Sequence, residues 1–237
     1  EHYAPLKSYL TEEIQTKKLK IAIIINDLFT STTAGRLSID EALNKIQKFT
    51  HPMLTSIYGY CFNNFEGESS LMLFHHDLPY GSIGMIMESE RNGKSISNFT
   101  STNKYIILLG ISLGLKYSHS RGVINNHLST DNIFTDDNFY PRFLSIIENY
   151  LIDSIFKAPE ILNGRKATYA SDVYSFSMIA YEIITGQKPF IPEGQKRPNL
   201  LSIEIESIRT FISKCWSENQ DERPSFSQIF ETLKKEE

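Results

Sequence analysis

Residues 105–115, YIILLGISLGL, are apolar almost without a break, and the flanking residues carry the pattern out to 101–120 as STNKYIILLGISLGLKYSHS. A strand rarely exceeds about 10 residues, so this stretch predicts a helix. Its apolar run falls well short of the ~20 residues a membrane span needs. A helix this apolar has to lie inside a protein core, surrounded by other elements that cover it. The rest of the chain has the means to do so. With 237 residues it is long enough for one large or two small cores. Apolar residues make up 41% and charged residues 22%, an ordinary mix for a soluble globular protein.

The covering elements are legible downstream. SDVYSFSMIAYEIITG (171–186) opens on a capping serine, has an apolar body and stops at a glycine. IEIESIRTFISKCW (203–216) puts Ile205, Ile208, Ile212 and Cys215 on one helical face. SFSQIFETLKK (225–235) follows Pro224 and starts with a capping box, Ser225 and Gln228. Upstream of residue 80 the period changes. LKIAIII (19–25), LTSIYGYCF (54–62) and SSLMLFHH (69–76) read as strands, the last two joined by the turn NNFEGE. One helix, SIDEALNKIQKF (38–49), interrupts them, with Ser38 and Glu41 as its capping box.

Several function classes drop out on charge and cysteine usage. Lys and Arg total 24 against 28 Asp and Glu, a formal net charge of −4. Nothing in that balance attracts nucleic acid or an anionic membrane. Two cysteines far apart, Cys61 and Cys215, predict no disulfide framework and a reducing, cytoplasmic setting. No segment with a charged start, apolar middle and small-residue cleavage site is present.

Five short motifs follow one another in order along the chain: LPYGSI (78–83), GLKYSHSRGVI (114–124), APEIL (158–162), SDVYSFSMIAYEIITGQKPF (171–190) and CWSENQDERPSF (215–226). Together they resemble a eukaryotic protein-kinase domain, nearest to the tyrosine-kinase-like group, over almost the whole chain. The resemblance implies an α+β, bilobal protein-kinase-like fold. Residues 1–77 would form a small β-rich N-lobe with one helix, and residues 78–237 a larger, mainly helical C-lobe. The two lobes together make one domain.

Members of that family share a set of phosphoryl-transfer devices. A glycine-rich loop should lie within residues 4–14, but the first glycine in the chain is Gly35. The strand lysine that neutralises phosphates falls on Ile24, and its helix glutamate falls on Ala42. Lys20 shares the strand face of Ile24 but is displaced by roughly 13 Å, too far to substitute. The H-R-D-L-x-x-x-N loop becomes Asn125-Asn126-His127-Leu128-Ser129-Thr130-Asp131-Asn132, with His127 where the proton-accepting aspartate belongs. The magnesium-holding D-F-G becomes Ser145-Ile146-Ile147, and a serine hydroxyl is a poor magnesium ligand beside a carboxylate. Asn132 alone matches a metal- or cofactor-holding position.

Scaffold positions match instead. The resemblance implies a buried ion pair between Glu160 and Arg223, and hydrogen bonds from the loop backbone to Asp172. The expectation is a pseudokinase, with no catalytic residue and no metal site. It would bind other proteins, an active kinase among them, as scaffold or allosteric regulator in signalling. No cofactor is expected. The alternative is an ATP-binding or weakly active divergent serine/threonine kinase using magnesium and His127.

Overall fold

The computed structural model describes residues 19–24, 41, 50–55, 57–63, 67, 69–76, 78–94, 96–143 and 153–235. The chain divides into two compact units, residues 1–50 with 54–79, and residues 51–53 with 80–237. Of the predicted helix at 38–49 only Glu41 is among the described residues, where it is helical and exposed. Among the described residues no helix is long and apolar enough to cross a membrane.

The first unit holds a three-stranded antiparallel sheet in the order β1-β3-β2, made of β1 (Leu19–Ile24), β2 (Ile57–Asn63) and β3 (Ser69–His76). Alternation accounts for the central strand: Met72 and Phe74 are both buried and share one face. β1 pairs in register from Leu19 opposite His76 to Ile24 opposite Leu71. β2 begins at Ile57 rather than Leu54, and its pairing with β3 shifts between Ile57 and Gly59 and again between Cys61 and Asn63.

The second unit contains α1 (Ile83–Arg91), α2 (Ser101–Ser120), the hairpin strands β4 (Ile133–Thr135) and β5 (Pro141–Phe143), and then α3 (Pro159–Leu162), α4 (Tyr169–Thr185), α5 (Glu206–Cys215) and α6 (Phe226–Leu233). α2 occupies the residues its apolar pattern marks out. It is closed at its start by a capping box between Thr100 and Asn103. Ile107, Ile111 and Leu115 have no exposed surface, and each such side chain contributes about 1.5–3 kcal/mol through burial. α6 lies along α2, with the Tyr105 hydroxyl donating to Leu233 O at 2.8 Å.

Two expectations about helix ends need correction. α4 starts at Tyr169 with Thr168 as its cap, not at Ser171. Thr168 Oγ1 accepts the Ser171 N–H at 3.2 Å, and Ser171 Oγ accepts the Thr168 N–H at 3.0 Å. Ser171 is therefore the inner partner of a capping box that begins one turn earlier. The glycine at the other end acts as expected, Gly186 taking φ 73° with its N–H on Glu182 O. In α5, Ile205 is not on the buried face. It precedes the helix in extended conformation and is exposed, while Phe211, Ile212 and Cys215 are buried.

Two glycines one turn apart in α2 let two other segments, β5 and residues 51–53, approach its backbone. A Cβ at Gly110 would lie 2.6 Å from Pro141 Cγ and 2.9 Å from Met53 Sδ. At Gly114 it would lie 2.8 Å from Phe143 Cζ and 3.0 Å from Met53 Cβ. The 51–53 segment is anchored in this groove. Phe143 N donates to Met53 O at 3.3 Å, and the Arg142 guanidinium reaches Pro52 O. His51 stacks on Tyr117 at 4.8 Å between centroids, and its Nδ1 accepts the Met53 N–H at 3.1 Å.

Gly114→Ala sets two effects against each other. Helix propensity gains about 1 kcal/mol, and overpacking against rigid ring and backbone-proximal atoms costs about 1–3 kcal/mol. The close contact with Phe143 decides the sign, and the variant should lose stability in denaturant unfolding. His51 gives a second test. Burial holds its imidazole below the ordinary value, so the unfolded chain takes up the proton first as pH falls. The stability it contributes is present above pH about 6.5 and is lost progressively below it. His51→Asn, which keeps an acceptor but does not titrate, should flatten that part of the pH–stability curve between pH 7 and 5.

Candidate functional site

After α2 the chain turns at Gly122, φ 75°, and runs without regular structure to a 3₁₀ turn at Thr130–Asn132 that leads into β4. An irregular buried segment has to satisfy its backbone groups from side chains. Asp172, in the first turn of α4 and with no exposed surface, supplies the acceptors. Its Oδ2 accepts the Asn125 N–H at 2.8 Å and its Oδ1 the Asn126 N–H at 2.7 Å. Oδ2 also lies 2.9 Å from His119 Nε2. The His119 ring is held in turn by Tyr169 and Phe226, at 4.5 and 5.0 Å between centroids.

Asn126 takes φ 47°, in the left-handed region that Asn tolerates better than most residues. The resulting tight turn brings the His127 N–H to 2.5 Å from Asn125 O. Farther along, Asn132 Nδ2 donates to His127 O at 3.0 Å. Leu128, 3% exposed, plugs the loop into the core. The loop is thus held at its start by Asp172, across its middle by Asn132, and at its end by Glu182, whose Oε2 accepts from Thr130 Oγ1 at 2.9 Å. The half-buried residue at the centre of this frame is His127.

Glu160 and Arg223 meet in a two-pronged pair, Nη1 to Oε1 at 2.6 Å and Nη2 to Oε2 at 3.0 Å. Arg223 also donates to Ala170 O at 3.0 Å and Ser217 O at 2.9 Å. One guanidinium thereby ties α3, the start of α4 and the segment after α5. Burial alone would raise the Glu160 carboxyl, but the hydrogen bonds and charge of Arg223 hold it below the usual carboxylate range. The ring of Tyr174, 2% exposed, lies against two guanidinium groups, Arg197 at 5.0 Å and Arg223 at 5.3 Å. Burial pushes its hydroxyl up.

The remaining positions of interest belong to the first unit or to residues that are not described. Ile24 is described as a β1 residue opposite Leu71. Ala42, Ser145, Ile146 and Ile147 lie outside the described residues. Sequence reasoning missed Glu182, His119, Thr130 and Arg91. For Glu182 a signal was available, because a lone carboxylate inside SMIAYEIITG has to be buried and therefore needs donors. Asn125, which stands at the start of the altered loop motif, has a buried amide with no hydrogen-bond partner for either Oδ1 or Nδ2. An unmade pair of that kind costs about 1–3 kcal/mol.

Removing one member of the Glu160–Arg223 pair would strand a buried charge. Arg223→Ala should cost about 3–5 kcal/mol in chemical unfolding. The double variant E160Q/R223A should lose less than Arg223→Ala alone, since no uncompensated carboxylate remains.

A family model for the protein kinase domain matches residues 30–233 of the chain. A probable serine/threonine-protein kinase of Dictyostelium discoideum is 26% identical over 217 residues, covering 82% of this chain and 16% of that protein. Fibroblast growth factor receptor 1 of Dugesia japonica is 27% identical over 247 residues, covering 91% of this chain and 28% of the receptor. The serine/threonine/tyrosine-protein kinase HT1 of Arabidopsis thaliana is 30% identical over 151 residues, covering 54% of this chain and 39% of that kinase. The chain therefore spans well under half the length of these relatives. The extent of the family match, together with a strand-containing first unit and a helical second unit, establishes that the chain belongs to the protein kinase domain family.

Proposed function

We propose that this domain is a pseudokinase of the tyrosine-kinase-like group that acts by binding other proteins, as a scaffold or allosteric regulator of an active kinase. The observation that carries this reading is the loop around His127. Asp172 and Asn132 keep its shape, while the residue displayed where the family has its proton-accepting aspartate is a histidine. Phosphoryl transfer is mostly positioning and electrostatic stabilisation. A base therefore contributes little once the phosphate-neutralising lysine and the metal-holding aspartate are replaced by Ile24 and Ser145. The same replacements argue that neither nucleotide nor magnesium is held. A cytoplasmic setting is in keeping with two free cysteines, Cys61 half-buried and Cys215 buried. Burial pushes the Cys215 thiol well above its ordinary value, so it stays protonated and inert.

A second reading, a divergent serine/threonine kinase with His127 as base, draws support from the kinase names of the relatives. One experiment separates the two. Thermal unfolding is followed with millimolar ATP, with and without magnesium, alongside transfer of radiolabelled phosphate to protein substrates. The pseudokinase reading expects no transfer and no stabilisation. A nucleotide at ten times its dissociation constant would add about 1.4 kcal/mol, enough to see. Transfer that His127→Ala abolishes would establish the second reading instead.

A further inference from the structure

α4 carries a second buried carboxylate that the loop's backbone does not use. Glu182 lies at the far end of the helix from Asp172, with a side chain only 2% exposed. Its Oε2 accepts from Thr130 Oγ1 at 2.9 Å, and its Oε1 accepts from Arg91 Nη1 at 2.9 Å. Arg91 is the last residue of α1. Its side chain is 31% exposed, and the same Nη1 also reaches Gly186 O, at the α4 terminus, at 3.3 Å. A surface cation is thus connected through one buried anion to the first residue of the 3₁₀ turn. That turn ends at Asn132, which holds His127 O.

We infer that Arg91, Glu182 and Thr130 form a latch through which the exposed C-terminal end of α1 sets the order of the loop at residues 125–132. Arg91 is the cation that meets Glu182 among the described residues. If the guanidinium leaves, the buried carboxylate cannot stay in place, because an uncompensated ion in that environment is too costly. It turns away toward other partners, and its hydrogen bond with Thr130 Oγ1 breaks. The other end of α1 meets the same turn: a Cβ at Gly84 would lie 2.1 Å from Asp131 Oδ1. Displacement of α1 is therefore transmitted to the turn at both ends of the helix. An ordinary surface pair such as Lys196–Glu218 has no such consequence, since both partners stay solvated when it breaks. The latch does not depend on whether the domain turns over ATP, so it stands or falls apart from the pseudokinase reading.

Hydrogen exchange followed by mass spectrometry on the full chain tests it, with Arg91→Gln, Thr130→Val and the double variant. The two variants cut the connection at different links. Each should accelerate exchange of the 125–132 amides by about tenfold while α5 and α6 keep their wild-type rates. The double variant should add nothing to either single one. Arg91→Lys, which keeps the charge, should restore most of the protection. Three outcomes would overturn the latch: acceleration confined to α1 and residues 182–186, acceleration spread evenly over all helices, or effects that multiply in the double variant. Should Arg91→Gln not fold, Thr130→Val with Glu182→Gln gives the same comparison, with the same three outcomes against it.

Discussion

The second unit depends on one carboxylate that has been taken fully out of water. Asp172 has no exposed surface and meets two backbone N–H groups and an imidazole, all at 2.7–2.9 Å. Charged hydrogen bonds of this kind are stronger than neutral ones, and in a dry interior their absence would be correspondingly expensive. The arrangement works because α4 is almost entirely buried from Ser171 to Ile183, which makes it a rigid post. Everything attached to Asp172 inherits that rigidity: the end of α2 through His119, and the irregular loop through Asn125 and Asn126. A loop containing a left-handed asparagine and a buried amide without partners would not hold its shape unaided.

Arg223 provides a second fixed point with opposite chemistry. Here the buried group is a cation, and its planar fork uses every nitrogen: two on Glu160, with Nη1 shared to Ala170 O, and Nε on Ser217 O. Asp172 organises the loop from one side of the start of α4, and Arg223 holds the same start of α4 against α3 and the post-α5 segment. Two buried charges of opposite sign thus converge on one helix terminus, each satisfied by several partners. This explains how an unusual sequence at 125–127 is accommodated without loss of the frame. The interactions that shape the loop run through its backbone, through residues on α2 and α4, and through its own Leu128, Thr130 and Asn132 side chains.

That separation bears on function. In a kinase-like domain the residues that hold the loop and the residues that would do chemistry are different residues. They can change independently. Here the frame residues Asp172, Glu160 and Arg223 each make several contacts and Asn132 holds His127 O, while the resemblance to the family aligns His127, Ile24 and Ser145 with positions where it carries charged groups. A domain under no constraint to keep its shape would have little reason to retain several buried, fully partnered ionic groups, because each is costly unless every partner is kept.

The sequence by itself determined the long buried helix at 101–120, a strand opening at Leu19, the strand 69–76, the glycine stop at 186 and the capping box at 225–228, because these follow from apolar periodicity and from groups a few residues apart. Motif order along the chain also pointed to the family and to Asp172, Glu160, Arg223 and Asn132 as residues of interest. Only the tertiary structure decided that Thr168 rather than Ser171 caps α4, that Ile205 faces solvent, and that Arg91, Glu182 and Thr130 meet. The reason is range. A cap depends on which of two nearby hydroxyls the folded backbone presents to the first free N–H groups. The Arg91–Glu182–Thr130 connection joins residues 91, 52 and 39 positions apart, and no local pattern records a partner at that distance. Glu182 shows the limit most plainly: its place inside an apolar helix announces a buried charge, but which cation answers it is settled only when the Arg91 side chain at the end of α1 reaches α4.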